Sequence, residues 1–123
     1  MEKVRFLTVL SCPSDQVTEA DRVFHSHIDW MKQTHQKTGP KGLLSYDVSK
    51  TAELLDPFDP ASKPTGKTNY ILTEVYNTDA GVTEHFDLAE SGWKDYPAFN
   101  KLLGNCTTTK VRSAKIFNSL WEN

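Results

Sequence analysis

A run of β-branched and aromatic residues at 68–77, TNYILTEVYN, followed directly by a helix signal, constrains the fold of this chain more than any other stretch. Alternation places Ile71, Thr73 and Val75 on one face of a strand and Tyr70, Leu72, Glu74 and Tyr76 on the other. Thr78 or Asp79 then caps a helix whose apolar stripe is Val82, Phe86 and Ala89, with His85 beside it and turned inward. Ser91 and Gly92 interrupt and Trp93 follows. Pro97 suits the first turn of a short helix that carries Phe99, Leu102 and Leu103 and ends at Gly104.

The remaining elements are arranged around this unit. Residues 4–12, VRFLTVLSC, are apolar at nearly every position, the pattern of a central strand covered on both faces, and Pro13 ends it. Residues 15–37 hold a helix with Val17, Ala20, Phe24, Ile28 and Met31 on one face, entered through a Ser14 or Asp15 cap and stopped by Gly39 and Pro40. Residues 43–48 read as a second strand nearer an edge. Residues 50–67, rich in Pro with Gly66, read as a long irregular loop insertion, of which Leu54, Leu55 and Phe58 are expected to pack down. Residues 106–117 supply a last strand, before a tail with Leu120 and Trp121.

The order strand, helix, strand, strand, helix, strand predicts an α+β fold, a ferredoxin-like βαββαβ domain over residues 1–123 with an antiparallel sheet. The fourth strand then lies beside the first, so Cys12 and Cys106 are expected to be neighbouring free thiols. Two helices cover only one sheet face. The apolar groups on the other are expected to meet a second copy, giving a homodimer with sheets face to face.

Composition narrows the functional classes. With 14 basic and 16 acidic residues and no Lys/Arg cluster, no track for nucleic acid is expected. No apolar run spans a bilayer and the N-terminus lacks a signal-peptide pattern, so no membrane partner and a cytoplasmic location are expected. Phosphate-loop and Ser-His-Asp patterns are missing. His27 and His35 share a helix face two turns apart and His25 does not, so no metal site is expected from that helix.

The segment YILTEVYNTDAGVTEHFDLAES resembles the dimeric α/β-barrel superfamily, in particular domains similar to the antibiotic-biosynthesis monooxygenases, with Glu74, Val75, Tyr76, His85, Ser91 and Trp93 at the matching positions. The resemblance implies a dimer with a cavity between sheet and helices, and oxygenation of polycyclic aromatic substrates without metal, flavin or other cofactor. The chain departs from the haem-degrading relatives: its first strand has no Asn, and His85 stands about where their tryptophan would be. Against the quinone-forming relatives, Asn77 matches an asparagine, but Gly81 stands where a tryptophan would be.

His85 and Glu74 are the candidate catalytic pair: an imidazole suits proton transfer near neutral pH, and a mid-strand carboxylate, if buried, needs a partner or a raised pKa. The structural alternatives are an interior histidine bonded to a strand side chain, and a Glu74 paired with Arg5 or Arg112 or at the dimer interface. Tyr70, Tyr76, Trp93 and Phe99 either line an aromatic ligand cavity or pack the core, while Trp30 and Trp121 are expected at an interface or on the surface. Two functions follow: a cofactor-independent monooxygenase-like enzyme acting on a small aromatic or quinone-like compound, or a non-catalytic dimeric small-ligand-binding or stress-response protein.

Overall fold

The computed structural model of the protein describes residues 2–121; residues 1, 122 and 123 of the expected domain lie outside the described residues. Strand β1 (Val4–Cys12) leads through a short 3-10 turn at Ser14–Gln16 into helix α1 (Val17–Thr34). A long hairpin of β2 (Leu43–Leu54) and β3 (Pro64–Tyr76) follows, then α2 (Asp79–Gly92), α3 (Tyr96–Asn105) and β4 (Thr107–Lys115). The four strands form one sheet in the order β2-β3-β1-β4, every neighbouring pair antiparallel. This is the ferredoxin-like arrangement, with α3 as a third, short helix. In one chain the sheet stays open, with β2 and β4 as its edges.

Side-chain parity decides the layers. Val4, Phe6, Thr8, Leu10 and Cys12 of β1 and Tyr70, Leu72, Glu74 and Tyr76 of β3 all turn toward the helices and are buried there. β1 therefore alternates, because its other face, with Arg5, Leu7, Val9 and Ser11, is only partly covered. Helix α1 answers with Ala20, Val23, Phe24, His27, Trp30 and Met31, and α2 with Val82, His85 and Ala89. Trp30 is thus an interior residue, whereas Trp121 is 82% exposed.

Several sequence expectations are corrected. The irregular insertion at 50–67 shrinks to residues 55–63, because Lys50, Thr51 and Ala52 pair across the hairpin with Tyr70, Asn69 and Thr68. A polar edge ladder of this kind needs backbone pairing alone, so no hydrophobic pattern announces it. Leu55 and Phe58 do not pack down; they are 70% and 98% exposed. No side-chain cap opens α1; the backbone bond from Gln16 N to the Pro13 carbonyl at 2.9 Å tightens its entry instead. Thr78 is the N-cap residue of α2, but its hydroxyl donates to the Pro40 carbonyl at 2.6 Å. Cys12 and Cys106 are free and adjacent as expected: burial, followed by a hydrogen bond with Cys106, pushes the Cys12 thiol up to about 12. No helix among the described residues is long and apolar enough to cross a membrane.

Candidate functional site

Four elements converge on one buried polar cluster beneath the helices. β3 places Glu74 mid-strand with no exposed surface, opposite Phe6 on β1 and Tyr46 on β2. α2 lays His85 over it, with the His85 Nδ1 3.7 Å from Glu74 Oε1. α1 contributes His27, whose Nδ1 lies 2.7 Å from the Tyr46 hydroxyl. His35, just past the end of α1, brings its Nε2 to 2.9 Å from His85 Nδ1, while Thr34 Oγ1 holds its other nitrogen at 2.8 Å. The Tyr76 hydroxyl donates to Glu74 Oε1 at 2.5 Å. Glu74 Oε2 has no partner, and among the described residues no other buried side-chain N or O atom is in that position.

Burial sets the charge of these groups. It raises the Glu74 carboxyl to about 8, against the opposing pull of the Tyr76 hydroxyl. Burial lowers His27 to about 3, helped by His35, and lowers His85 to about 2, helped by His27 and His35. His35 is lowered for the same reason, opposed by Glu84. At neutral pH the Glu74–His85 contact is therefore a neutral acid beside a neutral base, not an ion pair.

Aromatic rings close the cluster. Trp30 and Trp93 stack with centroids 5.6 Å apart, Trp30 lies 5.5 Å from His85, and Trp93 lies 4.9 Å from His27. On the outer side of the Trp30–Trp93 pair is a cleft of about 570 Å³, also lined by Arg22, Ser26, Asp29 and Asp95. The Trp93 indole donates to Ser26 Oγ at 3.0 Å, and Ser26 donates to Asp95 at 2.5 Å.

Of the residues expected at the site, the structure joins His85, Glu74 and Tyr76 directly and Trp93 through His27 and Trp30. Tyr70 belongs elsewhere: its hydroxyl donates to Asp21 at 2.8 Å, its ring stacks on Phe24, and it borders a second cleft of about 400 Å³ with Val48 and Lys50. Phe99 is half-buried against Phe24, His27 and Trp93. Glu74 pairs with neither arginine, since Arg5 donates to Thr73 and Arg112 to Thr83. It also faces the helices and not the open sheet face. Sequence reasoning missed His27, His35, Tyr46 and Trp30 as members. The signal for His27 was present: it lies three and four residues from Phe24 and Val23 and from Trp30 and Met31, inside the apolar stripe.

Two positions compared above with quinone-forming proteins have structural duties here. The Asn77 amide donates to the Gly39 carbonyl at 2.8 Å. A Cβ at Gly81 would come within 2.6 Å of Tyr76 Cδ1 and 3.0 Å of the Lys41 carbonyl, so this position has no room for a tryptophan.

No protein-family model matches the chain. No curated protein matches it in sequence. Among solved structures, the chain is similar to a dimeric ferredoxin-like protein from an uncultured marine organism, at a TM-score of 0.64 and 15% identity, covering 98% of this chain and 100% of that one. That likeness establishes the ferredoxin-like fold. A Deinococcus radiodurans protein provisionally assigned as an antibiotic biosynthesis monooxygenase aligns over 96% of this chain and 99% of that one, at 21% identity and a TM-score of 0.48.

Proposed function

We propose that the protein is a monooxygenase-like enzyme acting on a small aromatic or quinone-like compound, with His85 and Glu74 handling protons. The observation that carries this reading is the 3.7 Å approach of a neutral imidazole to a carboxyl that holds its proton in the same interior. Burial makes the free His85 imidazole a weak base, so it takes a phenolic proton only as the charge of the forming phenolate beside it raises its basicity, while the protonated carboxyl donates to the oxygen that gains charge. The phenolate so formed is the electron source for dioxygen: one oxygen atom enters the ring to give the quinone, and the other leaves as water with the phenolic proton and the displaced ring hydrogen. The Trp30–Trp93 stack offers an aromatic wall, and the cleft outside it is large enough for a small ring system.

Oxygen uptake with a panel of hydroquinones tests this. The parent is expected to consume oxygen with at least one of them, and His85→Ala to lose about 10²- to 10⁴-fold of that rate with its fold intact. A folded parent that turns over none of the panel contradicts the reading. The Trp30–Trp93 pair stands between the cleft and His85, and this favours a second reading, a non-catalytic small-ligand-binding or stress-response protein.

We also infer a homodimer through the open sheet face. There Leu7, Val9, Ile71, Val75 and Val111 form an apolar stripe across β4, β1 and β3. A second copy covering that stripe would close the two sheets into a barrel. The double variant Val9→Glu/Ile71→Glu is expected to sediment as a monomer where the parent sediments as a dimer; a monomeric parent would refute the inference. The free thiols of Cys12 and Cys106 support a reducing, cytoplasmic setting.

A further inference from the structure

We propose that His27, Glu74 and His85 bind one divalent first-row transition metal ion. One ligand atom from each of the three lies within 4.8 Å of the other two, and all three residues are buried. Ligands about 2.0–2.2 Å from a common ion stand roughly 3–4 Å from one another, so a small inward movement closes the set. The absence of a metal expected from histidine spacing on one helix does not bear on this triad, whose members come from α1, β3 and α2.

A second observation points to the same ion independently. Glu74 Oε2 is fully enclosed and unpartnered, a state that costs about 1–3 kcal/mol or more unless something fills it. No histidine, arginine or hydroxyl satisfies it, and a cation at the centre of the triad would. The surroundings are already those of a supported ligand set. Tyr46 engages His27 at Nδ1, His35 engages His85 at Nδ1, and Tyr76 engages Glu74 at Oε1. Each partner fixes the orientation of its ligand, and the enclosed Glu74 Oε2 is left for the ion.

The donor set chooses the class of ion. Two imidazoles and one carboxylate suit Zn²⁺, Fe²⁺, Co²⁺ or Mn²⁺ and disfavour Ca²⁺ and Mg²⁺, which take oxygen ligands. Three protein ligands leave open positions for water or a substrate oxygen, so the site is of the kind that binds and polarises a ligand. The interior around the cluster is packed with rings, and a bare ion needs far less space than an organic ligand. An ion bound there takes the place of the Glu74 proton, so the acid–base roles proposed above belong to the metal-free protein. This inference goes beyond that function, since binding needs no turnover and is read in the absence of any aromatic compound.

The test is a titration of chelator-treated full-length protein with Co²⁺, followed by visible absorbance, with Zn²⁺ as competitor and thermal unfolding as a second readout. One Co²⁺ per chain, displaced by Zn²⁺ and raising the unfolding temperature, is the expected result. Glu74→Gln and His27→Gln should each weaken binding by more than the ~10–100-fold typical of a lost supporting partner. His25→Ala, an exposed histidine on the same helix, should leave binding unchanged. Binding that survives Glu74→Gln and is lost in His25→Ala overturns the proposal as a surface effect. If a ligand variant does not fold, the parent decides alone: a folded parent that takes up no Co²⁺, or shows no thermal gain with it, overturns the proposal.

Discussion

Replacing Tyr76 by alanine is expected to destabilise the protein by about 3–5 kcal/mol, the cost of removing a fully buried aromatic from a packed interior. The ring touches Gly81 closely enough that even a methyl group there has no space, so little relaxation into the cavity is available. Tyr76→Phe separates the hydroxyl from the ring. It retains the packing but removes the donor to Glu74 Oε1, leaving both carboxyl oxygens without a partner. That variant should lose about 1–3 kcal/mol. Urea denaturation of both variants gives the comparison; equal losses would show that the hydroxyl contact, and not the ring, holds the site.

The second large effect is a stability maximum near pH 6.5 in the metal-free protein. Glu74 is raised from 4.5 to about 8 on folding. Its contribution is complete below pH 4.5 and lost as pH rises toward 8, because the unfolded chain releases a proton that the folded one keeps. His27 and His85 are lowered from 6.5 to about 3 and about 2. Their contribution is complete above 6.5 and lost as pH falls, because the unfolded chain takes up protons that the folded one refuses. Between 4.5 and 6.5 the two histidines outweigh the single carboxyl and stability rises with pH; between 6.5 and 8 the carboxyl acts alone and stability falls. The alkaline limb, one proton over about 1.5 pH units, is worth about 2 kcal/mol, and the acid limb, with two histidines against one carboxyl, at least as much. Urea midpoints across pH should trace this dome, and Glu74→Gln should flatten its alkaline side and steepen the rise between 4.5 and 6.5, where the carboxyl no longer opposes the histidines. An unchanged alkaline limb in that variant would assign it to other groups.

How much of this was legible beforehand follows from what each element depends on. The alternation of TNYILTEVYN put Glu74 and Tyr76 on one face of β3, but both faces carry large groups, so which of them meets the helices was not readable and Glu74 stayed open between His85, Arg5 or Arg112 and the dimer interface. The adjacency of Cys12 and Cys106 followed from strand order without any local signal. The length of the β2–β3 hairpin was not readable, since its outer half is polar and exposed and is held by backbone bonds whose partners lie far along the chain. His35 was hidden for a different reason. It sits after the last turn of α1, where helical periodicity no longer applies, and only the packing of α2 brings His85 to it. Trp30 was hidden because Asp29 and Lys32 on either side suggest a solvent face, whereas the helix buries a stripe wide enough to include His27, Trp30 and Met31 together.

The proposed chemistry turns on a proton held by Glu74 inside the protein beside unprotonated imidazoles. Infrared spectroscopy of metal-free protein near pH 6.5, where the histidines' unfolded value lies, reads that proton directly. A protonated-carboxyl stretch that is present in the parent, missing in Glu74→Gln and lost as pH rises through about 8 is the result expected. A Glu74 that absorbs as a carboxylate throughout that range would contradict the proposed acid–base pair.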